Sequence, residues 1–548
     1  MPPTHEVLNQ PPPREGHDCY SEDVALTEAV VREGAGWASD ELAALGRLAG
    51  DGAWLERGRL AAAHPPELRT HDRFGHRIDE VRYHPAYHEL MGVAVSAGLA
   101  GAPWAEDAPE GSHVARAAGA ILWTRVDAGH FCPMSMTFAV VPSLRSQPDL
   151  ARSWVPRVTG RTYDPTFRPV EGKAGATFGM AMTEKQGGSD VRANTTRAEP
   201  VGAGGPGAEH RLTGHKWFCS APMSDAFLSL AKAPDGLSCF LVPRWLPDET
   251  RNPFHLQRLK DKLGDRSNAS AEVELDDTLG WMVGPEGRGV ATIIAMVAHT
   301  RLDCAVGAAA GMRHGLAEAA HHAIHRQAFG RPLADQPLMR AVLADLAVES
   351  EAATALVLRL ARAFDQAAGS QHETGIMRLV TPVAKYWLCK RAPMHAAEAL
   401  ECLGGAGYVE ESGLPRLYRQ SPLNGIWEGS GNVQCLDVLR AMHRSPDAVE
   451  ALLAELDSAA GADRRLDEAA AAVREDLASL DEATARRTVE RAALALQGAL
   501  LVRDGHPAVA DAFCATRLAR EGGHAFGALP PGLGIDAILA RVLPELSP

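Results

Sequence analysis

Apolar positions between Ala25 and Val141 recur at i, i+3 and i+4, in runs such as DELAALGRLAGDGAWLERGRLAAA, YHELMGVAVSAGLA and SHVARAAGAILWTRVDAGHF. That spacing lines one face of an α-helix. The segment predicts a series of helices, with loops such as HPPELRTHDRFGHR between them. Near Phe178 the pattern changes. Thr195–Glu199, Arg211–Phe218, Ala226–Ala231, Ser238–Pro243 and Ala271–Leu275 are short, rich in β-formers and separated by turn clusters such as GAGGPGAEH and KAPDG. They predict a compact antiparallel sheet or barrel of about a hundred residues. Strands do not alternate with long helices here, which argues against a doubly wound nucleotide fold. After Gly287 helical spacing returns in Val290–Gln327, Leu338–Gln366, Ile376–Leu403 and Gly431–His443, long Ala/Leu-rich stretches suited to an antiparallel bundle. Ala448–Ala459, Arg464–Leu480 and Ala483–Arg503 extend the pattern to a further block. The chain therefore reads as α+β in four segments: N-terminal helices at 1–177, β-barrel at 178–286, C-terminal bundle at 287–445 and an additional helical block at 446–548. Residues 1–15 are Pro-rich and polar, an extended arm.

At 548 residues, 46% hydrophobic and 23% charged, the chain has apolar material for several cores and no sign of general disorder. A formal charge of −14 argues against a surface that grips nucleic acid throughout, and leaves room only for a local basic patch. Nine cysteines stand singly with no CxxC pair, which predicts neither a disulfide framework nor a metal site, and fits a reducing cytoplasm. The start, MPPTHEVLNQPPPREGHD, has no apolar signal region. Alanine-rich stretches are broken by Arg, Glu or His short of the ~20 apolar residues that span a bilayer, so no membrane association is expected.

Three segments carry side chains suited to ligand chemistry. In Gly179–Asp190, GMAMTEKQGGSD, Gly187 and Gly188 permit a tight turn and leave N–H groups able to face an anion. Thr183 and Ser189 offer hydroxyls to two ends of a flat, polar ligand and its phosphates. The alternative is a helix ending in a Gly-Gly turn capped by Ser189 and Asp190. His215–Ser220, HKWFCS, supplies an aromatic pair and a hydroxyl that can wall a planar ring. An ordinary strand with Trp217 and Phe218 alternating between core and surface is its alternative. Third, ECLGGAGY at 401–408 runs a helix end into a glycine turn, and NGIWEGSGN at 424–432 sets Glu428 beside Trp427, ahead of Gly429, Ser430 and Gly431. A carboxylate against an aromatic wall is a candidate general base, since desolvation lifts its pKa toward working pH. The alternative is a surface Glu, with Ser430 capping the next helix.

In order and spacing these motifs resemble those of the acyl-CoA dehydrogenase flavoproteins. MTEKQGGSD is similar to that family's MTEPxxGSD loop, GHKWFCS to its KxWITN strand, RQAFG at 326–330 to its RxxFG turn and ECLGGAGY to its QxxGGxGY. KDKLGDRSNASAEVELDD with GPEGRG matches a further motif pair, and IWEGSGN stands where the family carries its (Y/W)EG base. The resemblance spans residues 20 to 445, approximately. NQPPP at 9–13, REGAGW at 32–37, MTEKQGGSDVRANTTRA at 182–198, RLKDKLGDRSNAS at 258–270 and the additional helical block resemble the alkylation-response (AidB) branch. Lys185 in place of the usual Pro and Glu401 in place of Gln depart from the wider family.

The resemblance implies an N-terminal helical domain, a central antiparallel β-barrel and a C-terminal bundle, with FAD between barrel and bundle. Met180, Met182 and Thr183 would meet the flavin and Ser189 its pyrophosphate, while Trp217, Phe218 and Ser220 would flank the ring from the barrel side. Ile426, Trp427, Glu428 and Asn432 would approach from the bundle. Arg326, Phe329, Gly404 and Gly405 correspond to positions that hold the adenosine end, often across a subunit interface, which implies a homotetramer. The implied reaction is α,β-dehydrogenation of an acyl-CoA thioester, with short branched chains as candidates and the electron acceptor unspecified. Glu428 takes the α-proton, while a ribityl hydroxyl and the backbone N–H of Glu428 itself polarise the carbonyl. A DNA-associated flavoprotein that protects against alkylating agents is the alternative the branch implies. Residues 446–548 hold ten Arg, no Lys and seventeen Asp or Glu, a net −7, with cations clustered only at Arg464/Arg465 and Arg486/Arg487/Arg491. That balance predicts helical faces laced with i,i+4 ion pairs rather than a DNA surface.

Overall fold

The computed structural model describes residues 4–546; positions 1–3 of the expected arm and 547–548 of the expected last segment lie outside the described residues. In chain order the elements are α1 (Val24–Arg32), α2 (Ser39–Ala49), α3 (Gly52–Ala63), β1 (Glu67–His71), β2 (Arg77–Arg82), α4 (Pro85–Ser96), α5 (Ser112–Trp123), α6 (Phe131–Arg145) and α7 (Pro148–Val158). The strands β3 (Phe178–Ala181), β4 (Arg197–Pro200), β5 (Glu209–Ser220), β6 (Ala226–Ala233), β7 (Gly236–Pro243), β8 (Phe254–Leu259) and β9 (Ser270–Val283) follow. Then come α8 (Gly289–His325), α9 (Pro337–Gln366), α10 (Gln371–Cys402), α11 (Leu414–Gln420), α12 (Gly431–Arg444), α13 (Pro446–Asp457), α14 (Arg464–Ala478), α15 (Ala485–Asp504), α16 (Pro507–Phe513) and α17 (Ile535–Leu539). The order helices, strands, helices matches the sequence reading.

Three expectations need correction. The HPPELRTHDRFGHR stretch is a β-hairpin, β1 against β2 with Glu67 opposite Arg82, and not only a loop. Its charged outer positions hide the strand pattern, yet Val81 is buried in the barrel core. The barrel is not wholly antiparallel, because β6 pairs in parallel with both β3 and β4. Finally, α8 is long and apolar enough to cross a membrane, where the sequence predicted no such stretch. Scattered His, Arg301, Arg313, Asp303 and Glu318 interrupt its Ala, Val and Met positions, and 78% of its most apolar window is buried, the situation of a core helix.

The described chain falls into two units, one from residues 1–52, 110–125 and 304–548, the other from 53–109 and 126–303, with one boundary inside α8. In the second unit β4, β5, β9, β7 and β6 close into a ring, with β3 added to β6 and β8 to β9. The barrel interior is filled by Leu212, Phe227, Phe240, Val242, Leu256 and Val273, among others. Phe227 and Phe254 stack with centroids 4.9 Å apart. In the first unit α10 packs against α9, α12, α13 and α15, and α5 lies on α9. All nine cysteines are free thiols, eight of them buried.

Candidate functional site

Within the barrel unit, the chain leaves β3 at Ala181 and crosses 182–190 as a turn bridged between Glu184 and Gly187, so the capped-helix alternative is not realised. Met180 is a strand residue, 8% exposed and in register with Leu228. Met182 and Thr183 are half-buried and Ser189 is exposed. A side chain the sequence reading overlooked fixes this turn. The buried Glu184 carboxylate accepts from Thr195 N (2.6 Å), Thr195 Oγ1 (3.0 Å), Thr196 Oγ1 (2.6 Å) and Lys216 Nζ (2.9 Å). Burial opposes its ionisation, but Lys216, Thr195 and Thr196 outweigh that and hold it at about 2. Lys216 Nζ also donates to Leu230 O (2.7 Å), tying the turn into the barrel wall. A charged residue of each sign inside two adjacent ligand motifs was the available sequence signal.

β5 is bulged between Lys216 and Cys219. A bulge re-aims side chains: Lys216 and Cys219 are buried, Trp217 is half-buried and Phe218 is 51% exposed. Neither aromatic joins the core, which overturns the simple alternation. The Trp217 N–H donates to Thr183 O (2.8 Å), so the bulge joins the two motif segments. Lys260 Nζ lies 3.2 Å from the Trp217 ring centroid, with Lys185 at 5.6 Å and Arg258 at 5.8 Å. Lys185, the departure from Pro, thus supplies a cation to this aromatic face. A Cβ added at Gly188 would stand 2.5 Å from Thr183 Oγ1, so the glycine is needed for the close approach. Ser220 Oγ is 3.2 Å from Ser270 Oγ.

Within the helical unit, Trp427, Glu428 and Asn432 share one turn leading into α12. Glu428 is half-buried with φ +56°, a left-handed conformation unusual outside glycine, and Gly429 follows at +95°. Ser430 occupies the N-cap position of α12, but its side chain makes no capping hydrogen bond. Ile426 is 65% exposed, Asn432 is exposed, and Trp427 Nε1 donates to Asn424 Oδ1 (3.2 Å). Two buried residues absent from the sequence reading hold the turn. Lys385 Nζ donates to Trp427 O (2.6 Å) and to Gly429 O. Gln434 Nε2 donates to Glu428 O (3.1 Å) and Gly429 O (2.7 Å).

Arg326 and Phe329 lie elsewhere in that unit, at a tight turn where Gln327–Ala328 pairs with Arg331–Pro332. Phe329 is 98% exposed with φ +52°. The Arg326 guanidinium donates to Asn9 O, and Asn9 exchanges side-chain hydrogen bonds with Gln327 N (2.7 Å) and O (2.8 Å). Gly404 (φ +58°) and Gly405 are exposed in the turn after α10, and Glu401 is exposed ahead of them.

Comparison with known proteins agrees with this architecture. Residues 9–165 match the adaptive response protein AidB N-terminal domain, 179–278 the acyl-CoA dehydrogenase middle domain and 287–443 the acyl-CoA dehydrogenase C-terminal domain. The chain is 47% identical to AidB of Escherichia coli (strain K12) over 521 residues, 95% of each chain. It is 34% identical to acyl-CoA dehydrogenase family member 11 of Caenorhabditis elegans over 70% of this chain and 63% of that one. The solved Caenorhabditis elegans ACDH-11 complex with C11-CoA superposes with a TM-score of 0.85 at 27% identity, covering 94% of both chains. The chain belongs to the acyl-CoA dehydrogenase family of oxidoreductases, in its AidB branch.

Proposed function

We propose that this protein binds FAD and uses it to desaturate an acyl-CoA thioester between Cα and Cβ, with Glu428 as the base. The observation that carries the reading is the left-handed IWEGSGN turn, which two buried side chains hold with Glu428 at its centre. The donor set fits a flavin. In the barrel unit Thr183, Ser189 and Ser220 supply hydroxyls, Gly188 leaves room beside Thr183, and Phe218 presents exposed apolar surface that a planar ring can cover. Met180 and Met182 precede that turn, while Arg326, Phe329, Gly404 and Gly405 are the candidates for the adenosine end. When bound, FAD would supply the acceptor for the β-hydrogen and its bonding electron pair. Glu428 removes the α-proton, and its backbone N–H polarises the thioester carbonyl as negative charge develops on oxygen. The C11-CoA bound by ACDH-11 supports a thioester substrate and extends the candidates beyond short branched chains.

Exposed Phe329 (98%) and Tyr408 (86%) leave apolar surface that a second copy would cover, in keeping with a homotetramer. Nine free thiols suit a reducing cytoplasm. No observation favours the DNA reading. Arg465 pairs with Asp463 and Asp511, Arg487 and Arg491 both face Asp476, and Arg464 reaches Glu468. Three of these five pairs link separate elements, two joining α15 to α14 and one joining α14 to α16, and only Arg464–Glu468 is an i,i+4 pair.

The test is anaerobic. Protein reconstituted with FAD should show flavin bands that bleach on addition of one or more acyl-CoAs from a panel of short branched to C11 chains. Glu428→Gln should bind FAD and thioester yet lower the bleaching rate by at least about a thousandfold. No flavin uptake, or full bleaching by the Gln variant, would sink the reading.

A further inference from the structure

Lys385 lies on α10 within the apolar run LVTPVAKYWLC, and its side chain is among the largest that are fully buried, at 1% exposure. Its hydrogen-bond partners among the described residues are both backbone carbonyls, Trp427 O and Gly429 O. These are the residues immediately before and after Glu428. Burying an ammonium is costly unless its donors are used, so a lysine spent on two loop carbonyls marks those carbonyls as the point of the arrangement. Gln434, 0% exposed, adds donors to Glu428 O and Gly429 O. Together the two side chains satisfy all three successive carbonyls of a turn whose central residue is in a left-handed conformation.

The carbonyl of Trp427 and the N–H of Glu428 belong to one peptide group. A cation hydrogen-bonded to the oxygen of a peptide draws electron density toward it and makes the N–H on the other side a stronger donor, the cooperativity of hydrogen-bonded chains. We propose that Lys385 is a positioning and polarising residue for the base. It holds the Glu428 turn, and through the 427–428 peptide it strengthens the N–H that faces the developing enolate oxygen. This rests on the dehydrogenase reading above, in which that N–H meets the thioester carbonyl. Lys385 is buried with its hydrogen bonds given to the turn's carbonyls, and the role assigned to it involves no contact with substrate or cofactor. Its effect passes through the peptide.

The experiment compares wild type, Lys385→Met, Lys385→Gln and Lys385→Arg. The probe is a 3-thiaacyl-CoA, which has an ionisable α-proton and no transferable β-hydrogen; its enolate is read as a long-wavelength charge-transfer band against FAD. Lys385→Met should raise the apparent pKa for α-proton loss by about one unit and lower kcat about tenfold, with thioester KM nearly unchanged, since only developing charge is affected. Lys385→Arg should recover part of the shift. A wild-type pKa in the Met variant overturns the proposal, even if stability drops. Should Lys385→Met fail to fold, Lys385→Gln, which keeps an N–H donor without the charge, is held to the same criterion. The positioning half is read without cofactor: hydrogen exchange over 426–432 should rise several-fold in the Met and Gln variants, and unchanged exchange overturns it. A wild type that binds FAD but gives no band with any thioester sinks the dehydrogenase reading, while the exchange measurement still decides what Lys385 does to the turn.

Discussion

Asp265, in the KDKLGDRSN segment, is 5% exposed and adopts φ +48°. Burial raises its carboxyl first; Lys262 pulls it down, Asp127 pushes it further up, and the result is about 7 against 3.8 for an ordinary aspartate. An acid whose folded pKa is raised favours folding only while it keeps its proton. The protein should therefore lose stability as pH rises from about 4 to 7 on account of this group, and the loss should level off above 7. Asn copies the shape, stays neutral and tolerates a left-handed backbone. Asp265→Asn should thus be more stable than wild type at pH 8, by on the order of 1–3 kcal/mol, and nearly equal to it at pH 4. Urea midpoints across that range decide the matter: two curves running parallel would mean the aspartate is ionised at little cost.

At the scale of elements, legibility followed the range of the interactions that set each one. The long helices α8, α9, α10 and α15 repeat a local period, so their sequences announce them. β6 and β7 are equally plain, as near-continuous apolar runs between turns. The β1–β2 hairpin was obscured because its few apolar positions are spread among charges, and what makes it a hairpin is cover from the barrel core through Val81. The bulge at Trp217–Phe218 was invisible for a related reason: it is a register shift against β9, more than fifty residues away in the chain, and no local pattern records it. Among the site residues, Thr183 and Glu428 stand out by their side-chain chemistry beside glycine turns and gain specific roles from the motif resemblance, whereas Lys385 and Gln434 escape notice because their partners are carbonyls that any sequence would supply. The Pro-rich arm was read only as extended. In the structure Asn9 clasps Gln327, and Pro12 O accepts from His321 Nε2 (2.9 Å), so the arm splints the Arg326–Phe329 turn. Asn9→Gly keeps the left-handed φ of +57° and deletes the side-chain clasp. Hydrogen exchange at 327–330 should accelerate several-fold while global stability falls by about 1 kcal/mol or less. Unaltered exchange would show that the arm merely rests there.

For the molecule as a whole, the added C-terminal block, with a net charge of −7, has to be retained by a bundle whose residues 287–445 hold sixteen Lys or Arg against fourteen Asp or Glu, a net +2. Two buried ionic hubs answer that need within the helical unit. Arg359 of α9, 1% exposed, lies between Glu373 of α10 and Glu455 of α13, each at 2.8 Å, and Arg503 of α15 reaches Glu455 at 3.0 Å. Glu349 of α9 takes Arg391 of α10 and Arg517, both at 3.0 Å. Each hub joins the bundle to the block, so these charges serve attachment. Such pairs add little compared with an apolar contact of the same shape, but removing one partner strands a buried charge at a cost of about 3–5 kcal/mol. Burial resists ionisation of Glu349 and Glu455, yet the facing arginines outweigh it and hold both near about 2, against 4.5 when unfolded. A depressed carboxyl contributes stability that is complete above the unfolded value and disappears as pH falls toward the folded one. The thermal midpoint should therefore drop as pH is lowered from 5 to 3, with exchange in 446–518 rising before that of the barrel. Glu455→Gln should lower stability at pH 7 by roughly 3–5 kcal/mol and flatten the acid slope, whereas Glu455→Gln together with Arg359→Met should recover part of the loss, because the stranded cation goes too. Calorimetry of the three proteins from pH 3 to 7 tests this directly: if the single variant keeps the wild-type acid slope, the block is held by its apolar faces and the hubs are incidental.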